Sequence, residues 1–247
     1  MSPQTVPIAV LPLGAHEQHG PHLPFETDAI IAGAIAERLA AAAPLKVALE
    51  MLPVEPVGYS IEHLDVAGTR TLSFDEAVNR WIGIAEDCAS RGLRRLMLLN
   101  AHGGNSPLLT IVATEARVRF NMLAVATSWT RFGVPEQIIA PAEKAFDIHA
   151  GDIETSVMLA LRPDLVRRDL ISDFPSRQME FQQRFKHLRA YGPHAFGWKM
   201  SDLNAQGAAG MASRASAEKG EALLAHAING LSELLSDMAD FDLDLLH

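Results

Sequence analysis

Short apolar runs alternate along this chain with longer segments of helical character, and this alternation restricts the possible folds more than any other feature. The runs predicted as strands are Ile8–Leu13, Val47–Val54, Arg94–Leu99 and Met122–Thr127. The segments predicted as helices are Asp28–Ala43, Phe74–Gly92, Pro107–Phe120, Gly151–Leu161, Glu180–Arg189 and Ser216–Met238. Strands that alternate with helices form a mainly parallel sheet with helices on both faces. The sequence therefore predicts an α/β fold.

Local signals refine these bounds. Thr27 is a predicted N-cap of the first helix, and Ser73 with Glu76 three residues later is a predicted capping box for the second. We expect a loop over Gly58–Thr71 and irregular structure over the Gly-rich segment Tyr191–Gly210. Because the chain shows no repeat, low-complexity tract or linker, we expect residues 1–247 to form a single domain.

Composition excludes several functions. The formal net charge of −9 over 247 residues argues against a nucleic-acid surface, which is normally basic. The N-terminal segment lacks a basic stretch followed by an apolar one, and no apolar run reaches the length of a membrane span, so we expect a cytoplasmic protein. The single cysteine, Cys88, forms no intramolecular disulfide and is expected to be a small buried apolar residue.

The loop after the first strand carries an unusual density of titratable groups. Glu17 and His19 lie between Gly14 and Asp28, and Asp28 opens the first helix. Carboxylate oxygen and imidazole nitrogen together suit zinc, manganese or ferrous iron. A helix start favours the ionised form of Asp28, and its two oxygens could bridge two metals. His16 and His22 flank these residues, and supporting or packing roles are expected for both.

Two further polar clusters follow other elements of the predicted sheet. His102 lies after the strand Arg94–Leu99, followed by Gly103 and Gly104, whose backbone could approach a substrate or face an oxyanion. His149 precedes a helix that has Glu154 in its first turn. Taken singly, a strand-end histidine is usually a hydrogen-bonded structural residue, and a helix-opening acid is usually a cap. Three clusters at one sheet edge favour a metal site, because ligands bind beyond the carboxyl ends of parallel strands.

Aromatic residues, a further acid and three absent motifs also bear on the function. Trp129, Trp198 and Tyr59 could wall a pocket, although packing in the core is the more frequent role for such side chains. Asp152 is interpreted as a helix-start charge rather than a base. The chain has no His-Glu-x-x-His, no Gly-x-Ser-x-Gly and no Walker loop, which disfavours a helical zinc protease motif, a serine hydrolase and a P-loop enzyme.

The motifs resemble those of the creatininase (creatinine amidohydrolase) family of metal-dependent amidohydrolases. The residues that carry the resemblance are Gly14-Ala-His-Glu-Gln-His-Gly-Pro-His-Leu-Pro with Thr27-Asp28, Asn100-Ala-His-Gly-Gly-Asn105 and His149-Ala-Gly-Asp-Ile-Glu-Thr-Ser156. Gly58–His63 with Gly68-Thr69, and Gly207 to Gly220, are similar to further family segments. The resemblance implies a three-layer αβα sandwich, two divalent metal ions per chain and a homohexamer, with zinc favoured over manganese or iron.

The resemblance also implies roles for individual residues. Glu17 and His102 would bind one metal, His19 the other, and Asp28 both. Glu154 would complete the shell of the second metal. His149 matches the family's proton-transferring histidine and is the predicted catalytic residue.

Three departures from creatinine-cleaving members bear on the substrate. Those members have a glutamate ligand at the position of Gly104, a tryptophan at Ala145 and a glutamate at Ile148. Family members with the Gly-Gly form are similar to this chain, and other branches open formamide-type bonds of pyrimidines or cleave a short modified peptide.

The expected function is hydrolysis of a cyclic amide or formamide-type C–N bond of a small molecule by water activated at a dinuclear metal centre. The alternatives are a lactone or cyclitol-ketone hydrolase or a short-peptide peptidase on the same centre, or a metal-binding protein without turnover.

Overall fold

The predicted strands form one parallel sheet in the computed structural model, which describes residues 5–246. The bounds of its strands are β1 (Val6–Leu13), β2 (Val47–Met51), β3 (Arg95–Asn100) and β4 (Leu123–Ser128). Their order across the sheet is β2-β1-β3-β4, and all neighbours are parallel. The predicted three-layer αβα class with a mainly parallel sheet is confirmed.

Helices cover both faces of this sheet. Their bounds are α1 (Thr27–Ala41), α2 (Phe74–Ser90), α3 (Ser106–Phe120), α4 (Pro141–Lys144), α5 (Asp152–Leu161), α6 (Gln178–Arg184), α7 (Met200–Leu203) and α8 (Ala217–Asp240). One face packs against α1, α5 and α8, and the other against α2 and α3. Ile8 and Val10 of β1 point to the first face, whereas Ala9 and Leu11 point to the second. This alternation places apolar side chains of the central strands in two separate cores.

The strand order reverses between β1 and β3, and this reversal positions the polar clusters. From β1 the chain crosses to β2 on one side, and β3 then lies on the other side of β1. Leu13 pairs with Asn100, so β1 and β3 end at the same level. The loops that follow leave from adjacent carboxyl ends, which is where open parallel sheets bind ligands.

Two helix starts show which local predictions hold. Ser73 caps α2, since its hydroxyl accepts from the Glu76 backbone N–H at 3.3 Å and the Glu76 carboxylate accepts from the Ser73 N–H at 2.8 Å. The prediction of Thr27 as an N-cap is wrong. Thr27 is the first helical residue, and its hydroxyl donates to the Pro24 carbonyl at 2.7 Å, so it accepts no amide of α1.

The region before α8 differs from the prediction in detail. The helix predicted over Glu180–Arg189 begins and ends earlier, as α6, because Phe185 adopts extended dihedrals of −119° and 140°. The predicted irregular segment contains the short α7, and a two-stranded antiparallel ribbon joins β5 (Asp173–Phe174) to β6 (Gly210–Met211).

Two compositional predictions concern the described residues. No helix among residues 5–246 combines the length and apolar character that a membrane span requires. Cys88 is fully buried in α2, as predicted, and burial raises the pKa of its thiol. The N-terminal segment that lacks signal-peptide character includes residues 1–4, which lie outside the described residues.

Candidate metal centre

The loops after β1 and β3 bring four of the predicted ligands together at the reversal point of the sheet. Glu17 and His19 come from the first loop, Asp28 from the start of α1 and His102 from the second loop. All four side chains are buried, with at most 5% of each residue exposed. Buried acids and imidazoles at this density need compensation by hydrogen bonds or a bound cation.

Asp28 lies between two of the histidines. Its Oδ1 is 3.3 Å from Nε2 of His19, and its Oδ2 is 3.3 Å from Nδ1 of His102. Burial alone would raise the pKa of the Asp28 carboxyl, but His19 and His102 lower it well below its ordinary value. Asp28 is therefore an ionised carboxylate that presents one oxygen to each histidine.

One oxygen of Glu17 lies within 4 Å of three imidazole rings. Its Oε1 is 3.2 Å from Nδ1 of His102, 3.4 Å from Nε2 of His63 and 3.7 Å from Nδ1 of His149. Burial raises the pKa of Glu17 to about 7, although His102 opposes the rise. Neither Oε2 of Glu17 nor Oδ2 of Asp28 accepts a hydrogen bond from a described residue, so two buried oxygens are left for another electron-pair acceptor.

Backbone carbonyls hold three of the histidines in fixed orientations. Nδ1 of His19 is 3.0 Å from the Glu17 carbonyl, Nε2 of His102 is 3.0 Å from the Tyr59 carbonyl, and Nε2 of His149 is 2.6 Å from the Gln18 carbonyl. A carbonyl only accepts, so each of these nitrogens donates. With a metal bound and these rings neutral, the other nitrogen of each ring would present its lone pair to the carboxylate side, as in histidines that bind metals.

The electrostatics of the centre favour a cation between these groups. Burial lowers the pKa of His19, but the Asp28 carboxylate raises it more, to about 10. The carboxylates around His19 therefore favour a positive charge at this position. A divalent cation would supply this charge while leaving His19 neutral and able to coordinate. The donor set of carboxylate oxygens and imidazole nitrogens therefore fits a divalent metal.

Glu154 joins the centre from the first turn of α5. Its Oε2 is 3.9 Å from Nε2 of His19 and accepts from the Ala150 N–H at 2.6 Å. Possible ligand atoms within 4.8 Å of one another form three groups among the described residues: Glu17, His19 and His149; Glu17, Glu62 and His102; and His19, Asp28 and Glu154. The last group contains the ligands predicted for the second metal. The structure also brings His149 close to Glu17 and His19.

Glu62 and His63 belong to the cluster and were not among the predicted site residues. Oε1 of Glu62 is 3.4 Å from Nε2 of His102, and the rings of His63 and His149 lie 4.6 Å apart. Burial lowers the pKa of His63 to about 3, helped by His19. Both residues lie in the loop that leaves the carboxyl end of β2. The rule that ligands bind beyond the carboxyl ends of parallel strands (the strand-end rule) would have identified both residues if it had been applied to β2 as well.

Asp147 fixes the start of α5, on which Glu154 depends. Its Oδ1 accepts from the Asp152 N–H at 2.8 Å and its Oδ2 from the Ile153 N–H at 2.9 Å. A Cβ at Gly151 would lie 1.5 Å from Oδ1 of Asp147, so glycine is required for this close approach. Asp152 pairs with Lys219, with 2.6 Å between Oδ2 and Nζ, which agrees with its interpretation as a helix-start charge.

A cavity of about 440 Å³ opens beside the centre and is lined in part by His149 and Glu154. Trp129 is 3% exposed and also lines it, so the pocket-wall alternative holds for this tryptophan. Trp198 instead packs beside Ile148, and its Nε1–H donates to the Ala190 carbonyl at 2.8 Å.

Tyr59, His22 and His16 have structural contacts. Tyr59 packs partly buried beside α2 and α3. His22 stacks on Phe174 at 5.3 Å, a packing role as expected, and its Nε2 is 2.8 Å from Oγ1 of Thr155. His16 pairs with Glu26, with 3.4 Å between Nε2 and Oε1.

Asn105 ties the three strand-end loops together. Its side-chain amide donates to the Gly14 carbonyl at 3.0 Å, and its carbonyl oxygen accepts from the Tyr59 N–H at 2.9 Å. The segment Gly103–Asn105 forms a single 3₁₀ turn before α3. An oxyanion role for its amides stays a prediction.

The two glycines after His102 offer a matched test of this packing. A Cβ at Gly104 would lie 2.5 Å from both the Tyr59 carbonyl oxygen and Nε2 of His102, whereas a Cβ at Gly103 would meet no atom within 4 Å. Overpacking typically costs about 1–3 kcal/mol. We therefore expect Gly104→Ala to lower the melting temperature and the metal content, and Gly103→Ala to leave both close to wild type. Equal values for the two variants would contradict the close packing of His102 against this turn.

Comparison with known proteins gives a consistent set of relatives. Residues 2–235 match the creatininase family, described as creatinine amidohydrolase. A mycofactocin precursor peptide peptidase of Mycobacterium tuberculosis is 37% identical over 173 residues, which are 68% of this chain and 63% of that relative. The peptidase of the same name from Mycolicibacterium smegmatis is 31% identical over 231 residues, covering 92% and 84% of the two chains. A creatinine amidohydrolase of Pseudomonas putida is 28% identical over 246 residues, covering 93% and 89%.

Solved structures agree with the sequence relatives. A structure described as creatininase Mn superposes with a TM-score of 0.76 at 25% identity, covering 95% of this chain and 91% of that one. A mutant creatininase of the Zn-Zn type gives a TM-score of 0.74 at 27% identity with the same coverage.

Proposed function

Because the chain belongs to the creatininase family, we propose that it is a metal-dependent amidohydrolase that hydrolyses a C–N amide bond of a small molecule. The proposed substrate bond is of the cyclic amide or formamide type. Two divalent cations per chain are proposed, with zinc favoured and manganese or iron as alternatives. The Mn and Zn-Zn descriptions of the solved creatininases support divalent metals of this kind.

One observation carries this proposal. His19, His102 and His149 are each anchored to a backbone carbonyl by one nitrogen, and the other nitrogen faces buried carboxylate oxygens. Such an arrangement leaves electron pairs turned towards one another, which is costly unless a cation lies between them. We propose that Glu17, Asp28 and His102 hold one cation, and that His19, Asp28 and Glu154 hold the other.

The residues around this centre have separate tasks in the proposed reaction. Bound divalent cations lower the pKa of water and polarise a carbonyl. His149 has its Nε2–H committed to the Gln18 carbonyl, so Nδ1 is the atom that exchanges protons. Burial lowers the pKa of His149 well below its ordinary value, which keeps the ring neutral in the resting protein. In the proposed reaction His149 would carry a proton at Nδ1 and donate it to the leaving nitrogen.

A second candidate is cleavage of a short peptide. The mycofactocin precursor peptide peptidases support it, since one of them aligns over 92% of this chain. The same residues would then act on a peptide amide rather than a cyclic amide or formamide. Hydrolysis of a lactone or a cyclitol ketone releases no nitrogen leaving group, so it does not use the proposed protonation of that group by His149.

A hydrolysis screen tests both candidates. Metal-loaded protein is assayed for ammonia, formate and amine release over cyclic amides, formamides, lactones and short peptides. We expect creatinine to be a poor substrate, because Ala145 and Ile148 stand where creatinine-cleaving members have a tryptophan and a glutamate. Loss of one partner of a buried polar group costs about 1–3 kcal/mol, or roughly 5–150-fold in rate. Creatinine turnover equal to that of the best amide would contradict this expectation, and hydrolysis of lactones alone would overturn the amidohydrolase proposal.

The remaining proposals concern the whole protein. We propose that residues 1–247 act as one domain, that the protein is cytoplasmic, and that the chains assemble as a homohexamer. The family resemblance supports the hexamer, and small-angle scattering at micromolar concentration measures the mass directly. A monomeric mass would remove this proposal.

A further inference from the structure

Two cationic side chains line the same cavity as His149 and Glu154. Arg131 lies in the 3₁₀ turn Trp129–Phe132 after β4, and Lys144 is the last residue of α4. Both residues are exposed. We propose that Arg131 and Lys144 form an anion subsite, so that the substrate of the proposed amidohydrolase carries a carboxylate or phosphate group. The inference rests on the proposed function for the reaction but not for the anion binding.

Both cations are available to a ligand. Arg131 donates from Nη1 to the Ala126 carbonyl at a long 3.4 Å, and within residues 5–246 neither Arg131 nor Lys144 forms an ion pair. Nearby cations are used differently, because Arg214 pairs with Glu143 and Lys219 pairs with Asp152. The guanidinium and the ammonium on the cavity wall thus keep most of their donors free.

The acids on the cavity wall do not neutralise these cations. Both oxygens of Asp147 accept backbone amides of α5, and burial raises the pKa of Asp147 to about 7. Glu154 accepts from the Ala150 N–H and faces His19. Since backbone amides and His19 engage these two carboxyl groups, the other charged residues of the wall, Arg131 and Lys144, are both positive.

The apolar side chains of the cavity wall indicate what the uncharged part of the ligand is like. Trp129, Val134, Ile148 and Ile153 give it an apolar character. The chain as a whole carries a net charge of −9, which repels anions at long range, so an anionic substrate needs a local positive site. A formylated apolar amino acid or a formylated aminoalkyl phosphate has the required parts: a formamide for the metal centre, an apolar body and an oxyanion. Arginine is suited to either oxyanion, since its planar fork matches both.

Calorimetric titration of the metal-loaded full chain tests the subsite with three matched probes. N-benzoylglycine carries a carboxylate, N-benzoylglycinamide replaces it by a neutral amide, and O-phospho-N-benzoylethanolamine carries a phosphate. We expect one of the anionic probes to bind at least about tenfold more tightly than the neutral amide, as one charge-assisted hydrogen bond allows. The preference should weaken with added salt. The tighter of the two anions identifies the natural group.

The variant Arg131→Gln/Lys144→Gln is expected to lose that preference while binding the neutral amide as before. The matched control is Arg168→Gln/Lys186→Gln, which removes the same charge from exposed positions that do not line the cavity. Both pairs are exposed, so equal melting temperatures are expected. An unchanged preference in the cavity variant, as when the metals alone bind the anion, would overturn the subsite, and so would equal wild-type affinity for all three probes. A preference that persists without hydrolysis of any amide would count against the proposed function only.

Discussion

Asp28→Asn is expected to remove both metal ions and to abolish activity, which is the largest effect predicted for any single residue. Asp28 presents one oxygen to His19 and the other to His102, each at 3.3 Å, and so belongs to both proposed sites. Asparagine keeps the volume of the side chain but removes its charge. Its NH₂ group also replaces one of the two oxygens that would bind a cation by a hydrogen-bond donor. Loss of several kcal/mol of electrostatic stabilisation corresponds to roughly 10³-fold or more in rate. Elemental analysis and kcat/KM measure the two effects.

The matched control for this variant is Asp75→Asn. Asp75 is the second residue of α2, as Asp28 is of α1, but it is exposed. A general effect of removing an acid from a helix start would appear in both variants, and we expect the control to keep both metals. Two metals per chain in Asp28→Asn would show that Asp28 is not shared between the sites.

His149→Ala is expected to keep both metals and to lose rate. The proposed role of His149 is proton transfer at Nδ1, and general acid–base catalysis typically contributes about 10²–10⁴-fold. The loss should be smallest for substrates whose leaving group needs no proton. Glu154→Gln is expected to do the reverse and release one metal selectively, because Gly104 has no side chain that could replace the carboxylate. Metal content and kcat measured on both variants separate the two roles.

The close approach of His149 to Glu17 and His19 makes this comparison decisive. These three residues offer atoms within 4.8 Å of one another, as do His19, Asp28 and Glu154. If His149→Ala loses metal and Glu154→Gln retains it, His149 is the ligand and the proposed assignment is reversed. His187→Ala is the control for removal of an imidazole, since His187 is exposed and lies outside the centre.

The fold could be predicted from the sequence because the pattern of apolar residues is strong in the central strands. β1 and β3 are buried on both faces, and such strands read as continuous apolar runs. Helix ends were less predictable. Threonine is a typical N-cap residue, but the Thr27 hydroxyl donates to the preceding Pro24 carbonyl and not towards the helix. The earlier end of α6 coincides with the extended backbone of Phe185, which the sequence pattern did not indicate.

The candidate site was predictable as far as the strand-end rule was applied. It selected the loops after β1 and β3, and these loops do converge, because Leu13 and Asn100 are paired. Glu62 and His63 were missed because the predicted loop Gly58–Thr71, although similar to a family segment, was not searched for ligands. The orientation of each histidine could not be predicted, since it depends on carbonyl groups of residues distant in sequence, such as Tyr59 for His102.

These carbonyl anchors have a consequence for how the protein tolerates change. Gln18 holds His149 and Tyr59 holds His102 through the main chain, so the identity of the side chains at positions 18 and 59 does not enter either hydrogen bond. Substitution at these two positions leaves both carbonyl acceptors in the main chain, although the Tyr59 side chain packs beside α2 and α3. Variants at positions 18 and 59 therefore alter side-chain packing near the centre without removing the hydrogen-bond acceptor of either imidazole.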